Sequence, residues 1–162
     1  MIRKKNRYLR PRKLYEKTRI EEENKLKELY GLKNKKEIWK TDFKVNYFRR
    51  RAKALAKSSI EEQTTLFNKL KEIGLNVNSI ADVLDLKIRN LLERRLPTIV
   101  YRKGLSKTVK EARQMVVHKR ISINGNINNT PSYYVRVSEE NGIRVKPPVQ
   151  RVPKLDKEEV KE

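Results

Sequence analysis

Cysteine is absent from this chain of 162 residues. That excludes disulfides and thiolate metal sites, and it fits a reducing compartment. His118 is the single histidine, and the carboxylates Glu21, Glu22, Glu23, Asp82 and Asp85 have no histidine near them in sequence. No catalytic constellation, metal site or cofactor is therefore predicted. With five glycines, none in a P-loop or dinucleotide arrangement, a phosphate cradle of that kind is excluded too. No apolar run approaches the roughly 20 residues that span a bilayer. The basic start MIRKKNRYLRPRK is followed by no apolar segment of the kind a secretory signal needs.

Acidic residues are also scarce relative to basic ones. Against 20 Asp and Glu stand 41 Lys and Arg, a net charge of +21. Such a chain repels itself unless a polyanion neutralises it. Nucleic acid is the leading partner and an anionic membrane surface the second. Two basic blocks, residues 1–58 and 88–153, flank a near-neutral spacer, which reads as packing surface between binding surfaces.

Residues 1–15 show no periodicity and many cations, as in an arm that is disordered until a polyanion orders it. Glu16 to Tyr30 reads as a helix with Leu26, Leu29 and Tyr30 on one face, stopped by Gly31. Asn34 with Glu37 has the spacing of a capping box for a second helix reaching about Lys57. Its apolar stripe is Ile38, Trp39, Phe43, Phe48, Ala52, Leu55 and Ala56. Arg49, Arg50 and Arg51 interrupt that stripe. Three consecutive helical residues span about 200°, so at least two of the arginines are solvated or bind something. Ser59 with Glu62 repeats the capping pattern before Leu66, Phe67, Leu70 and Ile73. A helical turn over Ser79–Leu84 and a helix over Leu86–Arg95 complete a helical domain, residues 16–95.

Pro97 suits the first turn of a helix that ends at Tyr101, Arg102 and Lys103, before Gly104. Thr108 with Glu111 marks the next helix start. On that helix Ala112, Met115 and Val116 form a core stripe, while Lys110, Gln114 and His118 form a polar one. Ile121, Ser122 and Ile123 alternate as a half-buried strand, and Asn124-Gly125 is a strong hairpin turn. Pro131 demotes the next stretch to an edge or bend, with a further strand over Tyr133–Val137. Pro147, Pro148 and Pro153 predict an extended tail, residues 139–162. The fold class is α+β: a helical N-terminal domain plus a small unit, residues 92–138, of two helices on a short antiparallel sheet.

The segments ERRL (Glu93–Leu96), VYRKGL (Val100–Leu105), EARQ (Glu111–Gln114), ING (Ile123–Gly125) and PSY (Pro131–Tyr133) resemble the small RNA-binding domain called the alpha-L motif. RIEEE (Arg19–Glu23), YGLKNKKEIW (Tyr30–Trp39), YFRRRAKAL (Tyr47–Leu55) and LLERRL (Leu91–Leu96) extend the likeness to the S-four family of small-subunit ribosomal proteins, in its archaeal form. Together these cover most of residues 16–137. One departure stands out: Lys119 follows His118 where the family usually has Gly.

The resemblance implies a cytoplasmic, non-enzymatic constituent of the small ribosomal subunit. Such proteins bind small-subunit ribosomal RNA at a multi-helix junction, nucleate assembly early, contact neighbouring ribosomal proteins and help line the messenger RNA entry path. The RNA-binding residues expected here are Arg49, Arg50, Arg51, Arg94, Arg95, Arg102, Lys103, Lys107, Lys110, Arg113, Gln114, Lys119, Arg120, Asn124 and Tyr133. Arginine grips phosphate bidentately and lysine acts as a point charge. Two plainer roles compete: Arg113 as a structural ion pair with Glu93 or Glu111, and Tyr133 or Tyr134 as packing on the hairpin. The competing functions are a non-ribosomal RNA chaperone, an accessory factor in RNA modification and a DNA-binding protein. The helical segment 16–57 argues against the first, because chaperones built on this domain are shorter.

Overall fold

The computed structural model describes residues 6–146. The first five residues of the basic arm, and the tail with Pro147, Pro148, Pro153 and the acidic end, lie outside the described residues. Among the described residues, seven helices and three short strands run in the order α1 (Lys17–Leu29), α2 (Lys36–Leu55), α3 (Ile60–Glu72), α4 (Ile80–Asp85), α5 (Ile88–Glu93), α6 (Leu96–Arg102), α7 (Val109–Val117), β1 (Ile121–Ile123), β2 (Asn126–Ile127) and β3 (Ile143–Val145). A 3-10 turn, Val137–Gly142, leads into β3. The α+β expectation holds.

Helix α2, about 30 Å long for its 20 residues, is the spine on which α1, α3, α4 and α5 pack. Its Val45 and Ala52 join Leu66 and Leu70 of α3, Val83 of α4 and Leu91 of α5 in one core. A second core lies between α6, α7 and the sheet, built from Leu96, Val100, Ala112, Val116, Ile121 and Val135, all fully buried. A third, smaller cluster links them: Tyr30, Leu32, Ile38 and Leu92. Gly31 lies in the same place. Its φ of +57° ends α1, and a Cβ there would sit 3.2 Å from the backbone of Val109 and Lys110 at the start of α7.

The sheet order is β2-β1-β3, antiparallel throughout, with Ser122 opposite Ile127 on one side and Arg144 on the other. The predicted hairpin is present. Asn124 and Gly125 take φ of +49° and +86°, both positive as a two-residue turn of this kind requires. Strand β1 is not half-buried, however. All three of its residues are buried, because β3 covers the flank that a lone hairpin would leave open. The buried Ser122 hydroxyl donates to the Arg144 carbonyl at 3.3 Å. The expected strand over Tyr133–Val137 does not form; a single bridge between Arg95 and Tyr134 is all that pairs there. The third strand comes instead from Ile143–Val145, inside the segment expected to be extended tail.

Several local expectations are also revised. Leu29 is 60% exposed rather than on the packed face of α1. The helix expected over Leu86–Arg95 shrinks to α5, since Arg95 is extended at the N-cap of α6. Neither Asn34–Glu37 nor Ser59–Glu62 forms a capping box. Helix α2 begins at Lys36, and the Glu37 carboxylate is taken by two guanidinium groups, which bind it more strongly than a neutral backbone N–H. Thr108 does cap α7, accepting from the Glu111 N–H at 3.1 Å, while the Glu111 carboxylate accepts from Lys107 N–H. A complete capping box appears at Ser79 and Asp82. Three hydrogen bonds, from the backbone N–H of Asn78 and Ser79 and the Ser79 hydroxyl, hold Asp82 below the usual carboxylate range.

Candidate nucleic-acid interface

The fifteen residues singled out from sequence divide into two groups by their partners. In the first group the cations are tied into the protein. Glu37, on the first turn of α2, accepts from Arg95 Nη2 at 2.6 Å and from Arg113 Nη1 and Nη2 at 3.1 and 2.7 Å. Burial pushes the Glu37 carboxyl up, but the hydrogen bonds from Arg113 and Arg95 outweigh it and hold the group below its ordinary range. Arg95 is only 4% exposed, so it presents almost nothing to an external phosphate. Arg113 takes the competing structural role, and its partner is Glu37, not Glu93 or Glu111. Residue 37 lies 76 positions away in sequence, beyond the reach of a local pattern.

Arg94 is likewise occupied. It donates to the carbonyls of Ile73 and Val135 and pairs with Glu140. Arg49, half-buried, donates to the Leu86 carbonyl at 2.7 Å. Arg102 pairs with Glu93 at 2.9 Å on the open surface, and Lys103 donates to the Glu140 carbonyl. Tyr133 gives its hydroxyl proton to Glu139 and packs on the second core. Burial and the Glu139 carboxylate both raise its pKa. The packing role that competed for Tyr133 is the one its surroundings supply.

In the second group Arg50, Arg51, Lys107, Lys110, Lys119 and Arg120 are exposed, and among the described residues none of them forms an ion pair. Lys110 and Gln114 stand one turn apart on the outer face of α7, with His118 at its C-cap. Lys119 has φ of +60°, a left-handed conformation that glycine adopts more readily. It satisfies the helix end, donating its N–H to the Val116 carbonyl. Asn124 is exposed at the hairpin tip.

A further feature of the surface was not read from sequence. A groove of about 870 Å³ opens between α2 and the Pro131–Tyr134 loop. Its walls carry Arg7, Lys40, Phe43, Lys44, Tyr47 and Tyr134, with the Glu37–Arg95–Arg113 cluster at one side. The signal was present as basic-aromatic interleaving at positions 40, 43, 44 and 47, one face of a helix. The apolar stripe assigned to α2 obscured it.

Part of this surface lies within a known family unit. The S4 domain family model matches residues 94–141, the unit of α6, α7, the hairpin and the 3-10 turn. The small ribosomal subunit protein uS4 of Methanococcus vannielii is 44% identical over 132 residues, covering 77% of this chain and 74% of the relative. The chain belongs to the small ribosomal subunit protein uS4 family. The uS4 proteins of Methanococcus maripaludis and Methanococcus aeolicus are each 43% identical over 136 residues. Each alignment covers 80% of this chain and about three quarters of the relative. The uS4 likeness thus extends well beyond the S4 domain into the helical part. No helix among the described residues is long and apolar enough to cross a membrane.

Proposed function

We propose that this uS4-family chain is a structural constituent of the small ribosomal subunit that binds its ribosomal RNA. The observation that carries the reading is the division of the cations. Arg95 and Arg113 lock α6 and α7 onto α2 through Glu37, and Arg50, Arg51, Lys107, Lys110, Lys119 and Arg120 remain outside, without an ion pair among the described residues. A backbone held in this way needs no further ordering on association, and only the side chains lose freedom. A-form RNA hides its base edges in a narrow major groove, so shape and phosphate spacing are what such an array reads. A folded junction offers several phosphates at fixed angles, and neutralising them sets the angle between its helices. Early binding during assembly is part of the same reading, because fixing a junction helps later proteins to find their sites. Contacts with neighbouring ribosomal proteins and with messenger RNA near its entry, a cytoplasmic location and a role without catalysis complete the proposal.

The test is a comparison of the purified chain on a small-subunit junction RNA and on unrelated structured RNA and duplex DNA, at about 0.2 M salt, where non-specific duplex binding is weak. The expected result is a preference of at least about a hundredfold for the junction, within reach of the usual gap between specific and non-specific binding. Equal affinity for all three would refute the reading.

A further inference from the structure

We propose that the groove between α2 and the Pro131–Tyr134 loop holds one unpaired nucleotide of the bound RNA, its base against Tyr47 and Phe43 and its phosphate against Lys40, Lys44 and Arg7. This rests on the RNA-binding reading above and adds a specific subsite to it. Five cations line the groove against a single carboxylate, Glu37, and that carboxylate is already spent on Arg95 and Arg113. Arg7, Lys40 and Lys44 have no carboxylate partner among the described residues.

One lysine of that wall points the same way. Lys44 is half-buried with its Nζ 3.7 Å from the centre of the Tyr134 ring, and it forms no ion pair among the described residues. Desolvation alone pushes its pKa down, the state of an ammonium that gains from an arriving anion.

The aromatic content narrows the occupant. Tyr47 is 47% exposed on the helix face that also presents Phe43, and an exposed aromatic beside cations is the arrangement on which unstacked bases settle. A paired base within an A-form helix offers no free face to it. An anion without a ring would use the lysines but leave Tyr47 idle. An acidic peptide would match the charge and not the flat aromatic wall.

The experiment uses the full chain and a short single-stranded RNA carrying one 4-thiouridine, alone and annealed to its complement. Photocrosslinks from the single strand are expected on α2 near Tyr47 or on the Pro131–Tyr134 loop, and are expected to vanish in the duplex. Tyr47→Ala and Lys44→Met should each weaken single-strand binding about tenfold, the range of losing one base–aromatic stack, with duplex binding little changed. Lys44→Arg should recover most of the loss. Crosslinks confined to α7 and the hairpin, or equal weakening of single strand and duplex, would overturn the proposal. So would a groove whose Lys44 is shielded from an amine-modifying reagent by other small-subunit proteins and not by RNA. If a variant fails to fold, the crosslink map of the unaltered chain decides. Retained junction binding with an empty groove refutes this subsite alone, whereas loss of junction preference in the unaltered chain refutes the functional reading beneath it.

Discussion

Replacing Glu37 by Gln removes one negative charge and leaves the shape of the side chain. Its carboxylate is the shared acceptor for Arg95 and Arg113, whose side chains are 5% and 20% exposed, and is itself 19% exposed. Breaking a fully buried pair by removing one partner costs about 3–5 kcal/mol. Here Glu37 and Arg113 retain some water, and Gln keeps one acceptor oxygen. The expected loss at pH 7 is therefore about 2 kcal/mol for Glu37→Gln and about 3 kcal/mol for Glu37→Ala. At roughly 3 °C per kcal/mol for a domain of this size, Tm falls by about 6 °C for the Gln variant.

The same carboxyl predicts a pH dependence. Its pKa in the folded protein lies below the ordinary value of 4.5. Its contribution is therefore complete above about pH 4.5 and disappears as the pH falls through the lower, folded-state value. The gap between the original chain and Glu37→Gln should be widest at neutral pH and close in acid. Urea unfolding monitored by circular dichroism across that range measures it. A gap that persists unchanged at low pH, or no gap at pH 7, would show that the Glu37 cluster does not hold the two parts together.

Three other outcomes are expected from particular residues. Lys110→Ala and Lys107→Ala should each reduce the salt slope of RNA binding by about one, the signature of one phosphate contact, whereas Arg95→Ala should lower Tm; an unchanged slope in titrations of both lysine variants would remove them from the interface. Lys119→Gly should stabilise the fold by about 0.5–1 kcal/mol by relieving a left-handed lysine, visible as a higher urea midpoint. Leu91→Ala, at a fully buried position in the first core, should cost about 2–5 kcal/mol by the same assay without altering the RNA salt slope per folded molecule.

Local chemistry was readable from residue order. The Asn124-Gly125 turn, Pro97 at the start of α6, the Thr108 cap and the core stripe Ala112–Val116 all depend on neighbours within a few positions, so the pattern suffices. The same holds for the charge excess, which names a polyanion without any fold. Motif likeness carried the family, and the sequence relatives agree with it.

Only the tertiary structure decided which cations are available. Arg94, Arg95 and Arg113 look like Lys107 and Lys110 in sequence, yet each meets a carboxylate or carbonyl from a distant segment. Strand β3 has no local signature for a related reason: three residues pair with β1 only because the 3-10 turn brings them back. The groove beside Lys44 arises from α2 facing a loop far along the chain, and no one-dimensional pattern contains that approach. Periodicity and composition set which groups exist. Burial and long-range pairing, which cost or release free energy according to what each charge meets, determine which of them remain free to bind.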